Sequence, residues 1–377
     1  MAVNSQTPMP ITWTGHPLAD DKIVTEFLLR GAGVWPFNRV SMKPLLSLTL
    51  AFGLVAVSTG HAAKTDYQLL KTIPVGGDGG WDYLTVDSAA QRLYVSHASK
   101  VVVIDLVKDA VMGEITNTPG VHGVAIAPDL GRGLVTCGRE NKAALVDLKT
   151  LQTISKVDTG ANPDGMLYEP GQQEFYTFNG RGQSATVIAA KTGLVVATIP
   201  LGGKPEFAAV DEKAGLVFNN IEDTSELVAI DAKKHTVANR WPIAPGEEAS
   251  GMAYDEKNHH LFLGCGNQLM AMVDSTSGKV VATVPIGDGV DANAFDPGTQ
   301  LAFASCGNGT VTIAHEEGDQ LTVVQTLKTE KGARTMTLDP ATHKIYLASA
   351  KFDAPAEGQK RGKLVAGSFK ILVFGPK

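Results

Sequence analysis

Seven residues fall at one recurrent position along the chain: Asp82, His122, Asp164, Glu206, Ser250, Asp291 and Arg334. Four are carboxylates, joined by an imidazole, a hydroxyl and a guanidinium. Like charges held close together must take up protons, find counter-charges or share a cation, so the set points to binding of a cation or a polar ligand. Arg334 is the expected counter-charge for Asp291 and Asp82. That leaves His122, Asp164 and Glu206 uncompensated, and oxygen donors with one imidazole suit a divalent metal ion. No other cofactor is implied. In a catalytic reading the metal assists hydrolysis or elimination, with His122 as general base. The plain alternative is a set of solvated turn and channel groups, as the run Asn162-Pro163-Asp164-Gly165 illustrates.

A second set lies nearby in the repeat: His97, Cys137, Arg139, Asn179, Arg181, Asn220, Cys265, Asn267, Cys306 and Asn308. His97, Arg139 and Arg181 are candidate ligand contacts, together with Trp81, whose indole could stack on a ligand or plug the channel edge. The three cysteines share one repeat position, but they lack the paired spacing and neighbouring histidines of a thiolate metal site. They are expected to be small buried residues without a disulfide framework. His259 and His260 fall in a turn at the opposite end and are expected to be exposed, with His315 and His343 on or near outer turns. The sequence has no GxxxxGK[ST], GxSxG or HExxH motif, and GGDGG at 76–80 reads as turn material.

What positions these residues is a repeat. The segments YLTVDSAAQRLYVSH, GVAIAPDLGRGLVTC, GMLYEPGQQEFYTFN, FAAVDEKAGLVFNN, GMAYDEKNHHLFLGC, NAFDPGTQLAFASC and TMTLDPATHKIYLAS align on Asp87, Ala127, Glu169, Asp211, Asp255, Asp296 and Asp339. The intervals run from 40 to 44 residues. Each unit continues into two further β-branched runs, such as VVVIDL and VMGEI, separated by turn residues. No helical period is sustained. Seven units of four short antiparallel strands predict an all-β, seven-bladed β-propeller. The last unit supplies only three strands, whereas TDYQLLKTIPV near the start is a strand without a blade. Residues 66–75 are therefore expected to complete the last blade, leaving no open edge. The seven recurrent residues then surround the mouth of the central channel.

A secretory signal is expected at 42–63: one lysine, an apolar run from Leu45 to Val57, then small residues around Ala62 and Ala63. Residues 1–41 have no period and are expected to be a non-native extension, with translation starting at Met42. Residues 64–377 form the single propeller domain, placed in the periplasm or outside the cell. Its apolar runs are too short to suggest a transmembrane segment. Of the formal charge of −6, the first 63 residues contribute +1, with four basic against three acidic groups, and the remaining body carries −7. Such a body disfavours nucleic acid, for which only the basic excursion around 351–370 (Lys351, Lys360, Arg361, Lys363) would serve. That excursion is equally a lid, a partner contact or a solvated loop.

The endings LYVSH, LVTCG, YTFNG and IYLAS, followed by strands such as VVVIDL, resemble the YVTN-repeat propellers. The phrases GGWDYLTVD, PGVHGVAIAP, GKPEF, IEDTSE, GCGN, GDGVDA and FDAPAEGQKRGKLVAGSFKILV make residues 66–377 similar to secreted, YncE-like members of that family. The resemblance implies the propeller fold and an extracytoplasmic location, and little chemistry. Two functions follow as expectations. One is a binding or scaffold propeller that recognises a small molecule, a polymer or a protein at its acidic mouth. The other is a metal-assisted hydrolase or lyase, lactonase-like, using the same site.

Overall fold

The computed structural model describes residues 66–354 and 362–377. The expected extension and signal at 1–63, and the loop residues Lys360 and Arg361, lie outside them.

The described residues form seven four-stranded antiparallel sheets, one for each repeat. Their innermost strands are Trp81–Asp87, Val121–Ala127, Pro163–Glu169, Pro205–Asp211, Ala249–Asp255, Val290–Asp296 and Met336–Asp339. We number the blades 1 to 7 in that order. In blade 7 the strands Met336–Asp339, Lys344–Ser349 and Lys370–Pro376 are joined by Tyr67–Pro74 as the outermost strand, paired from Tyr67↔Pro376 to Pro74↔Lys370. The predicted closure is thus present.

Period-two alternation explains the core. The second and third strands of each blade lie between neighbouring blades and are buried on both faces, as in Arg92–His97 and Lys100–Asp105. The outermost strands alternate with solvent. The buried side chains fall into seven clusters, one between each pair of adjacent blades. The cluster between blades 7 and 1, with Ile73, Leu93, Val95, Tyr346 and Phe369, is an apolar core like the others.

The acidic residues that mark the repeat tie turns and blades together at the end opposite the mouth. Asp296 accepts the backbone N–H of Gly298 at 2.9 Å within its own turn and lies 2.7 Å from His343 Nδ1 of the next blade. Asp339 accepts from Ser88 Oγ at 2.6 Å, linking blade 7 to blade 1. Asp211 accepts from Tyr254 Oη at 2.7 Å. Here one expectation is corrected. His260 is not an exposed turn residue: it opens the strand His260–Cys265, is buried, and places Nδ1 2.5 Å from Glu316 Oε1. His259 does remain about half exposed.

Candidate functional site

Asp82, His122, Asp164, Glu206, Ser250 and Asp291 are each the second residue of an innermost strand. Arg334 precedes Met336–Asp339 by two residues. In all six of these strands the ladder with the second strand is irregular at this position. A bulge places extra residues on one strand and turns a side chain out of the pleat, which presents these groups at the mouth. The backbone groups freed by the irregularity are met by side chains from the second strand. Asp82 N–H donates to Ser96 Oγ at 2.8 Å, and Gly123 N–H donates to Thr136 Oγ1 at 3.3 Å. Thr136 Oγ1 also donates to the Asp164 carbonyl of the next blade at 3.1 Å. Asn220 Nδ2 does the same to Ser250 at 3.3 Å, and Ser305 Oγ to Arg334.

His122 stands between two carboxylates on the flanking blades. Its Nδ1 lies 2.8 Å from Asp82 Oδ2 and 3.1 Å from Asp164 Oδ1. The three side chains are 17–25% exposed, so they are reachable yet poorly hydrated. Burial opposes charge on His122, but hydrogen bonds to Asp164 and Asp82 outweigh it and raise its pKa to about 10. The Asp82 carboxyl is pushed up, first by burial and then by Asp164, against the pull of His122. His122 is therefore an imidazolium at neutral pH, and in that state it cannot act as the expected general base.

The expected metal trio is also rearranged. The donor atoms that converge belong to Asp82, His122 and Asp164. Glu206 instead lies with Lys204, whose Nζ is 2.6 Å from Glu206 Oε1 and also pairs with Glu222. Arg334 Nε is 3.2 Å from Asp291 Oδ2, as expected, while Asp82 takes His122 as its partner. Burial raises the pKa of both Glu206 and Asp291 to about 7, reinforced by Asp164 for Glu206 and eased by Arg334 for Asp291.

These raised values fix a pH dependence. A carboxyl that holds its proton more tightly when folded costs stability progressively above its unfolded pKa, and the cost levels off above the folded value. Melting temperature should fall from about pH 5 to about pH 8. The His122 contribution is full below about pH 6.5 and is lost progressively up to about pH 10, so it adds to the fall in its upper part. Thermal melts across this range should show the slope in the wild type and a flatter one in Glu206→Gln and Asp291→Asn. An equal slope in both variants would contradict the assignment.

Tyr83 and Phe207 were not singled out by the sequence. They come from blades 1 and 4, yet their ring centroids are 5.2 Å apart, so the pair spans the channel beneath the charged ring. Burial first, then Asp164, Glu206, Asp82 and Asp291, push the Tyr83 phenol well above its usual range. Gly123 makes room for this floor, since a Cβ there would lie 2.8 Å from Tyr83 Cβ and 2.7 Å from Met166 Sδ. The signal was present as the residue following each of Asp82 and Glu206.

The remaining candidates separate. Arg139 and Arg181 are exposed loop residues, and Arg181 donates to Asn162 Oδ1 at 3.2 Å. Asn267 and Asn308 are also exposed. His97 is buried and stacked on Phe369 at 4.1 Å, so it cannot contact a ligand at the mouth, and burial lowers its pKa. Cys137, Cys265 and Cys306 are free and buried, and burial raises each thiol to about 11. They sit in three different inter-blade clusters. Trp81 is partly buried, 5.1 Å from Phe369 and 6.1 Å from Phe352 between ring centroids.

No helix among the described residues is long and apolar enough to cross a membrane. No protein-family model matches the chain, and no curated protein matches it. Among solved structures it is similar to Kuenenia stuttgartiensis hydrazine synthase, at 17% identity and a TM-score of 0.62, over 73% of this chain and 94% of that one. At that identity the likeness speaks for architecture alone. Repeat, sheet order and structural likeness agree on a seven-bladed β-propeller closed by its N-terminal strand.

Proposed function

We propose that this chain is an extracytoplasmic binding propeller of the YVTN-repeat, YncE-like kind, whose acidic mouth takes its ligand through a divalent cation. The observation that carries this reading is the approach of two carboxylates to one nitrogen, His122 Nδ1, at 2.8 and 3.1 Å. A single proton on that nitrogen serves two acceptors poorly. A first-row divalent ion with bonds of about 2.1 Å places neighbouring ligands about 3 Å apart, which matches the two separations from His122 Nδ1. The nitrogen donor favours Zn²⁺ or Mn²⁺ over Ca²⁺ or Mg²⁺. Asp82, His122 and Asp164 would hold the ion, which would offer its open positions to an oxygen-bearing ligand. The segment 42–63 supports the extracytoplasmic location.

Binding is favoured over hydrolysis or elimination because His122 is held as an imidazolium and would become a ligand, leaving it unable to serve as base. The test is calorimetric titration of the purified protein with Mn²⁺ or Zn²⁺ in two buffers of different ionisation enthalpy. The cation must displace the Nδ1 proton, so the heats should differ between buffers by close to one proton per site. Saturable binding without proton release would place the ion elsewhere.

A further inference from the structure

Between blades 7 and 1, beside the mouth, lies a cavity of about 250 Å³ lined by Gly80, Trp81, Gly332, Arg334, Phe352 and Leu364. We infer that it is a binding site for a small aromatic carboxylate, distinct from the cation position at His122. Its apolar wall is built in depth. Trp81 is backed by Phe369 at 5.1 Å, and Phe369 is stacked on the buried His97 at 4.1 Å and 16°. Phe352 supplies a second aromatic face, 6.1 Å from Trp81 and inclined by 38°. The legs of the long loop hold it there: Phe352 bridges Leu364, Asp353 N–H donates to the Lys363 carbonyl at 2.8 Å, and Val365 N–H donates to that of Lys351 at 2.9 Å.

The polar end is Arg334. Its side chain is 53% exposed and its Nε faces Asp291 at 3.2 Å. Among the described residues its two Nη groups have no hydrogen-bond or ion-pair partner, so a donor fork remains for a planar oxyanion. Size narrows the ligand further. A cavity of about 150 Å³ takes benzene, so this one accommodates a single ring carrying a carboxylate. Bare inorganic anions would gain nothing from the aromatic walls. Asp291 offsets part of the guanidinium charge, so ring burial supplies most of the affinity and the carboxylate supplies selectivity.

Benzoate, with benzamide as its neutral counterpart, tests the inference by ligand-observed NMR titration of the full chain in EDTA, which keeps the outcome independent of any cation. Wild type should bind benzoate with a Kd of about 0.1–1 mM. Benzamide should bind about tenfold more weakly, because its single carbonyl oxygen cannot take up the guanidinium fork as the two oxygens of an anionic carboxylate do. Gly80→Leu is the filling variant: a Cβ at Gly80 meets nothing within 4 Å, so the substitution should fold and exclude both probes. Arg334→Gln should keep benzamide binding and lose the preference for benzoate. Absence of saturable benzoate binding by wild type, unchanged binding by Gly80→Leu, or an intact preference in Arg334→Gln would each overturn it.

Discussion

A chain lacking residues 66–75 is expected to fail to form a stable monomeric propeller. Tyr67 and Ile73 are 2% and 1% exposed, and each belongs to a different inter-blade cluster, so the strand fastens blade 7 to both of its neighbours. Tyr67 Oη donates to the His343 carbonyl at 2.7 Å, and its backbone N–H and C=O both bond to the Gln325 side-chain amide. Losing two core side chains removes about 3–6 kcal/mol of apolar burial. It also exposes Lys370–Pro376 as an unpaired edge, which invites aggregation. Against a total stability of about 5–15 kcal/mol, that is a large share. The milder Tyr67→Ala should cost about 3–5 kcal/mol, read by denaturant unfolding. A truncated chain with undiminished melting temperature and a monomeric elution volume would refute closure by this strand.

The second large effect concerns His122. Replacing it with alanine leaves Asp82 and Asp164 facing each other without the imidazolium that now lies between them. The folded state should lose about 2 kcal/mol at neutral pH, the worth of a charge-assisted hydrogen bond, and recover part of it near pH 5 as one carboxyl takes up a proton. Cation affinity should fall about 100-fold or more, because one of three protein ligands is gone and the proton-release signature goes with it. Asp82→Asn and Asp164→Asn should weaken binding similarly, whereas Glu206→Gln should not, since Glu206 is engaged by Lys204. A Glu206→Gln loss equal to that of Asp164→Asn would restore the trio expected from sequence alone.

The architecture was legible because a propeller repeats its solution. A period near 42 residues, acidic turn residues at six of the seven anchors and a spare strand at the start were enough to expect seven blades and their closure. The mouth was legible only as a position. Asp82 has neighbours on both sides of the ring, Arg334 on blade 7 and His122 on blade 2, and charge alone did not choose between them. The irregular ladders at the second residue of the first six innermost strands present the side chains there, and bulges leave no mark in hydrophobic alternation. Lys204 stands two residues before Glu206, on the same approach to the mouth, yet proximity in sequence did not reveal that its amine folds back. The burial of His97 depends on Phe369, at the far end of the chain in sequence. His260 was misplaced for a related reason: its partner Glu316 comes from the next blade.

The claim that the mouth is a cation site is tested most directly by anomalous diffraction from crystals grown with Mn²⁺ or Zn²⁺, recorded on both sides of the metal's absorption edge. The account predicts one strong peak about 2.1 Å from His122 Nδ1 and from a carboxylate oxygen of each of Asp82 and Asp164. An edge-dependent signal elsewhere, with His122 still hydrogen-bonded to both carboxylates, would contradict it.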